Sequence, residues 1–400
     1  MIGSKLVLLL DMDDTLLVND MEKFTPAYLK ALGDHLSPFV DPDRMVKELL
    51  TGIRRMMKNT DPELTLENSF DNHFYQSIGL TKNKIIDQIN QFYQLQFPLL
   101  QPLTEKVPEA GELIRHASQS EWKVGIATNP LFPRSAILHR LSWAGFPEAA
   151  SRFDLIPSFE DFHFCKPHPE FFAEFLAQMG WPDLPVVMAG NSLSDDIKPA
   201  ASLGIHCYQI INDSQNSKEP TDQNFPSGNL VDLKHWLSQN DSGLKKISFE
   251  SPTSVLAVLK TTPAALSTVL KNNDPDRVAL RPDPQEWSIV EIIYHLHRVE
   301  SMVFLRRINQ VLNEENPLFT LYDNEDTSSS RFKMDLPDEL NHFSIYRNDT
   351  LHRLDSVDEK TWKRTGFHPE RGTMTLLEVA RTAAMHDQDH IRQLFSTLVN

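Results

Sequence analysis

Near the start of the chain, in KLVLLLDMDDTLL, five apolar residues from Leu6 to Leu10 run straight into Asp11, Asp13 and Asp14. A short run of Val and Leu reads as a strand buried on both faces, and the interior of such a strand has nowhere to hide charge. At the carboxyl end of a strand in an open parallel sheet, acids line the crevice where ligands bind. There they can serve as nucleophile, proton donor or ligands of a hard cation. A solvated turn in which Asp14 and Thr15 cap the next helix is the plainer alternative. Three acids are more than a cap needs.

Three further stretches follow the same plan. The strand-like Lys123 to Ala127 ends in Thr128, Asn129 and Pro130; Lys166 stands in FCKPHP, where Pro167 and Pro169 open a helix to Met179; and Pro185 to Ala189 runs into GNSLSDDI, with Asn191, Asp195 and Asp196. In this order the four stretches resemble the motifs of the haloacid dehalogenase (HAD) superfamily, phosphatase branch. The resemblance implies Asp11 as nucleophile forming an aspartyl-phosphate, Asp13 as acid and base, and Thr128 and Lys166 on the phosphoryl group, while Asn129 either contacts the substrate or only shapes the turn. It places Asp11, Asp13, Asn191 and Asp195 or Asp196 around Mg²⁺. An amide at Asn191 replaces the acid usual there, so weaker Mg²⁺ binding is expected, since an amide oxygen ligates a hard cation with less charge. His163 and His168 flank Lys166 without an assigned role.

The elements that must position these residues are those of an α/β fold, a Rossmann-like parallel sheet, over residues 1–240. Residues 17–102 read as helical, with apolar spacings of three and four in Met45 to Met57 and Ile85 to Phe97. The resemblance makes this insertion a cap that closes over the site and selects substrate. Its Arg54, Arg55, Phe70, His73, Phe74 and Tyr75 read as packing and surface. A last strand, Ile205 to Ile211, and a helix near Leu230 to Leu237 complete the sheet.

A polar linker over 241–252 leads to residues 253–400, which read as four helices, about Pro252 to Lys271, Pro284 to Leu312, Pro337 to Val357 and Leu376 to Leu398, with no strand-like runs. His386 and His390 fall one turn apart on one face, while His295 shares a face with Glu291 and Val299 and His297 points away. The stretches EWSIVEIIYHL and AAMHDQDHIRQL resemble the DinB/YfiT-like bundles. That resemblance implies a divalent metal, Zn²⁺, Ni²⁺ or Fe²⁺, on His295, His386 and His390, and thiol-dependent transfer or hydrolysis in some members. Glu300, Asp387 and Asp389 read as solvated helix charges, the alternative being that they orient the metal-binding histidines.

At 400 residues with a net charge of −16, the chain suits two domains and disfavours nucleic acid and anionic membrane surfaces as partners. Only Cys165 and Cys207 are present, no leader segment is read and no stretch is read as spanning a bilayer, so a cytoplasmic protein is expected. The leading expectation is a Mg²⁺-dependent phosphatase acting on a small phosphorylated metabolite. The alternative is a first domain that binds a phosphorylated ligand without turnover, with the bundle as a metal-dependent transferase, hydrolase or sensor. A homodimer through the bundle is compatible with either.

Overall fold

Burial of the opening apolar run is complete, and Val7–Leu10 forms strand β1. The structure, a computed structural model, describes residues 5–211, 220–240, 243–274, 277–278, 280–321 and 335–399. It packs as two units, the second taking the short segments Leu176–Pro182 and Ser202–Gly204 together with the chain from Ser248 onward.

In the first unit β1 is flanked by β4 (Lys123–Ile126) and β5 (Val186–Gly190), followed outward by β6 (His206–Ile210) and β7 (Ser227–Gly228). All five strands are parallel, in the order β4, β1, β5, β6, β7. Register decides what meets at the carboxyl edge: Leu10 lies opposite both Ile126 and Ala189, so Asp11 is level with Ala127 and Gly190, and Thr128 and Asn191 leave the neighbouring strands one residue further on. The connecting helices are α5 (Ala110–Gln119), α6 (Arg134–Trp143), α7 (Ala149–Arg152), α8 (Pro169–Gln178), α9 (Lys198–Ser202) and α10 (Leu230–Asn240). Strand β7 was not expected, because two residues of Ser and Gly carry no alternating apolar signal.

The insertion opens and closes on an antiparallel stem, β2 (Leu17–Asn19) against β3 (Thr104–Lys106). Between them lie α1 (Met21–Leu36), α2 (Pro42–Met57), α3 (Leu66–Ile78) and α4 (Lys82–Gln91). Asp41 and Thr65 cap α2 and α3 by accepting from the Arg44 and Asn68 amides. Met45, Leu49, Gly52 and Met56 form the buried stripe of α2. At Gly52 a Cβ would stand 2.5 Å from the Phe70 ring, so only glycine lets α2 and α3 approach this closely.

The second unit holds α11 (Pro252–Lys271), α12 (Ile289–Val299), α14 (Leu336–Leu354) and α16 (Leu376–Val399), with α12 passing through a π-helical turn, Glu300–Phe304, into α13 (Leu305–Asn313). A capping box between Ser288 and Glu291 starts α12 five residues later than the proline at 284 suggested. Helix α11 corrects the expectation about bilayer spans: by length and composition, with a mean hydropathy of 1.3, it could cross one, yet 72% of that stretch is buried in the fold. A second correction is the hairpin of β8 (Thr365–His368) and β9 (Gly372–Thr375), which follows the one-turn helix α15 (Glu359–Trp362) where no strand was expected. Its three-residue loop ends at Gly372, whose φ of 77° suits the left-handed position of such a turn.

Glu300 and Asp387 are the third correction, for both are buried rather than solvated. The guanidinium of Arg347 lies between them, donating to Glu300 at 2.8 Å and to both oxygens of Asp387 at 2.5 and 3.0 Å. It also donates to the Leu259 carbonyl at 2.9 Å, while Thr262 and Thr350 donate to Asp387 and Glu300. One side chain on α14 thus reaches α11, the π turn after α12, and α16. Asp389 alone of the three acids keeps its expected place, exposed and paired with Arg392. Removing one partner from a buried ion pair typically costs about 3–5 kcal/mol. Arg347→Met should lower the stability of the second unit by roughly that amount, read as a lower denaturant midpoint of the bundle transition in the full chain.

Candidate active and metal sites

Asp11 continues β1, and its amide donates to the Ala189 carbonyl of β5 at 3.0 Å. Its buried carboxylate accepts from Lys166 Nζ at 2.7 Å, and the same ammonium donates to Asp196 at 2.6 Å. All three groups are buried. Burial pushes Asp11 up, Lys166 opposes, and the Asp196 and Asp13 carboxylates push further, to about 7. Asp196 is raised by burial against the pull of Lys166, while Lys166 is held above its usual value because its two carboxylates outweigh the burial that disfavours its charge.

The loop that delivers Lys166 is pinned twice. Buried Glu174 on α8 accepts from the amides of His163 and Phe164 and from His163 Nδ1 at 2.7 Å. The Asn129 side chain brackets the Lys166 backbone, accepting from its N–H at 3.2 Å and donating to its carbonyl at 3.4 Å. Thr128 is buried at the end of β4, and Asn191 is half-buried at the end of β5. Spacing left Asp195 and Asp196 unranked; Asp196 meets Lys166, whereas Asp195 accepts from Ser194 at 3.3 Å and forms no bond to Lys166.

Asp13 is held from two sides that the sequence did not announce. Asn19, on the stem of the insertion, donates to it at 3.0 Å, and buried Arg140 on α6 pairs with the same oxygen. Arg140 also lies against the rings of Phe24 and Phe132 at 5.5 and 5.8 Å. A helical Arg beside apolar neighbours gives no local motif, so only the fold reveals it. Phe70, Phe74 and Tyr75 are buried as expected and, with Tyr28, Tyr93 and Phe132, help line a cavity of about 110 Å³ within the first unit.

In the second unit His295 on α12 and His386 and His390 on α16 offer ring nitrogens that all lie within 4.8 Å of one another. The His295 and His386 Nε2 atoms are 3.0 Å apart. Tetrahedral bonds of about 2.0–2.1 Å set ligand nitrogens roughly 3.4 Å apart, so the three rings fit one divalent ion. Burial drives His386 down to about 2, helped by His390 and His295, and His295 to about 4, helped by His390; His390 is lowered by burial as well. Neutral imidazoles are what a metal requires. Trp287 stacks on His390, ring centroids 6.1 Å apart. His297 does face away, into a separate group with Glu339, 2.7 Å from its Nδ1, and His342. Glu339 and His342 sit three apart on α14, a spacing that carries little signal alone.

Residues 6–204 match the family model of the haloacid dehalogenase-like hydrolases, and residues 259–394 that of the DinB superfamily. The chain joins a HAD-like hydrolase domain to a DinB superfamily domain. A glyceraldehyde 3-phosphate phosphatase of Methanocaldococcus jannaschii is 28% identical over 206 residues, which are 51% of this chain and 84% of that protein. The HAD phosphatase of Thermococcus onnurineus aligns at a TM-score of 0.37 and 20% identity, over 61% of this chain and all of that one. YfiT from Bacillus subtilis, a four-helix bundle of unusual topology, aligns at 0.34 and 20% identity, over 38% and 89%.

The DinB domain should be sensitive to acid when free of metal. Its histidines are lowered in the folded state, so their contribution is present above about pH 6.5 and is lost as pH falls toward 4. Each histidine then costs about 1 kcal/mol per pH unit. Metal-free protein should lose stability from pH 7 to 5, and His386→Gln should flatten that slope, as read by thermal melts across the range.

Proposed function

We propose that the HAD-like domain, over residues 1–240 with its cap at about 17–102, is a Mg²⁺-dependent phosphatase of a small phosphorylated metabolite. Residues 241–252 link it to the bundle of 253–400. The observation that carries this reading is Lys166 between Asp11 and Asp196 at the carboxyl edge of the sheet, with Asp13 two residues beyond the nucleophile. The glyceraldehyde 3-phosphate phosphatase relative supports a phosphate monoester as substrate.

The donor set suits a hard cation. Asp11, the Asp13 carbonyl or carboxylate, Asn191 and Asp196 offer oxygen only, and the burial and neighbouring carboxylates that lift Asp11 are what a divalent charge would offset. When bound, Mg²⁺ supplies charge neutralisation for the incoming phosphate and for Asp11. The chain does the rest. Asp11, ionised, attacks phosphorus and becomes an aspartyl-phosphate as the ester oxygen leaves. Asp13 gives that oxygen its proton and later takes one from the water that releases phosphate, restoring Asp11. Thr128 and Lys166 hold the phosphoryl oxygens, with Asn129 fixing Lys166 and able to meet the substrate. Arg140 and Asn19 hold Asp13 in the orientation that both proton transfers need.

The second reading belongs to the bundle, and the convergence of His295, His386 and His390 favours it: a divalent-metal centre, with Zn²⁺, Ni²⁺ and Fe²⁺ each suited to three imidazoles. It stands beside the first reading and becomes the main activity if the first domain only binds.

Phosphate release from an aryl phosphate and from a panel of phosphorylated metabolites, measured with and without Mg²⁺, tests the first reading. Asp11→Asn should lower turnover by at least about a thousandfold with the fold intact by circular dichroism. Unchanged turnover in that variant would sink the aspartyl-phosphate mechanism.

A further inference from the structure

The hairpin β8–β9 that the sequence concealed does more than cross the end of the bundle. It contributes His368, Glu370 and Arg371 to the wall of a cavity of about 480 Å³ that Trp287, Arg307 and the three histidines also line. Two guanidiniums therefore stand in one cavity with a three-imidazole centre, against the single carboxylate of Glu370. Among the described residues neither Arg307 nor Arg371 forms an ion pair. Arg307 is half-buried, lies over the Phe319 ring at 5.5 Å and donates to the Thr320 carbonyl at 3.3 Å. Burial and the nearby Arg371 charge both push Arg307 below its ordinary value. His368, buried beside them, is lowered by burial and then by the two arginines, with Glu370 opposing.

Like charges gathered in a half-buried cavity repel, and in a chain of net charge −16 there is no shortage of acids to separate them. A cavity that instead leaves both arginines without a carboxylate partner among the described residues, in the same lining as a metal-competent centre, suits an anion with two ends. Guanidinium groups present planar, paired donors that match carboxylate and phosphate oxygens. The opposite end of such a ligand would lie among the imidazoles, beside the Trp287 ring.

We propose that this cavity binds a small organic oxyanion, a carboxylate or a phosphate, held by Arg307 and Arg371 while its other end reaches the centre formed by His295, His386 and His390. The proposal rests on the metal reading of those histidines. It adds the class of ligand and two residues that select it.

The full chain carrying Asp11→Asn, so that the first domain cannot hydrolyse a phosphate probe, is loaded with Co²⁺ in excess Mg²⁺ and separates the two ideas. Thiol probes give a sulfur-to-cobalt absorption band, and three of similar length differ only at the far end: 2-mercaptoethanol, 3-mercaptopropionate and 2-mercaptoethyl phosphate. Retention of one Co²⁺ per chain, lost in His386→Ala, is the expected baseline. Its absence would overturn the metal reading and this proposal together. With Co²⁺ held, an anionic probe should bind at least about tenfold more tightly than 2-mercaptoethanol, and whichever of the two anions gains more names the source. Arg371→Gln, on an exposed turn, and Arg307→Gln should each erase most of that gain while leaving Co²⁺ and 2-mercaptoethanol affinity unchanged, and Arg371→Lys should restore part of it. Equal affinity for all three probes, or an anion preference untouched by both Gln variants, would overturn the proposal with the metal reading intact.

Discussion

One buried ammonium sustains the catalytic edge of the first domain. Asp11 and Asp196 come from different strand ends, and neither could stay charged in the interior alone, where an unpaired ion costs several kcal/mol. Lys166 serves both, at 2.7 and 2.6 Å. Everything nearby keeps those distances. At Gly190 a Cβ would lie 2.3 Å from Asp196 Oδ2, so the strand must end in glycine for the acid to reach the lysine. Glu174 and Asn129 hold the loop backbone so that the Lys166 side chain arrives from one direction.

The bundle uses the same kind of device to a different end. Arg347 meets two buried acids, as Lys166 does, but its donors and their acceptors are matched almost completely, with Thr262, Thr350 and the Leu259 carbonyl taking up the remainder. Such a network fixes how four helices lie against one another. Around Lys166 the match is incomplete: burial, with the Asp196 and Asp13 carboxylates adding to it, outweighs the lysine and lifts Asp11 to about 7. A satisfied buried ion holds structure, and an unsatisfied set of acids draws a cation. The difference between scaffold and site lies in that remainder of charge.

Much of this was legible in the residues, for reasons that can be located. Strands β1, β4 and β5 were visible because a buried parallel strand is a continuous apolar run, and Asp11, Asp13 and Thr128 were visible because they stand where such runs stop, whereas Lys166, in a loop, was reached through the resemblance of its Lys-Pro context. The pairing of His386 with His390 followed from helical spacing, and His295 was joined to them by the resemblance to the DinB/YfiT-like bundles. What escaped depends on distant partners. Glu300 and Asp387 look like surface charges until Arg347, 47 and 40 residues away, is placed between them. Arg140 reaches Asp13 across 127 residues. Strands β7, β8 and β9 are two to four residues long, and His368, Glu370 and Arg371 become wall residues only once the hairpin folds back.

On the proposed readings, the two centres also divide the chemistry of metals between them. Oxygen donors alone suit a hard, reluctantly dehydrated ion, and three neutral imidazoles suit a borderline one, so an ion suited to one centre is a poor fit to the other. Asn191 sharpens the contrast. An amide where an acid would give full negative charge leaves the first centre with less attraction of its own, and Lys166 already offsets part of what Asp11 and Asp196 provide. On the phosphatase reading, the missing charge returns with the substrate, whose phosphate dianion brings oxygen ligands and negative charge at once. Cation and ester then strengthen each other's binding, and the site is fully assembled only when there is a phosphate to cleave.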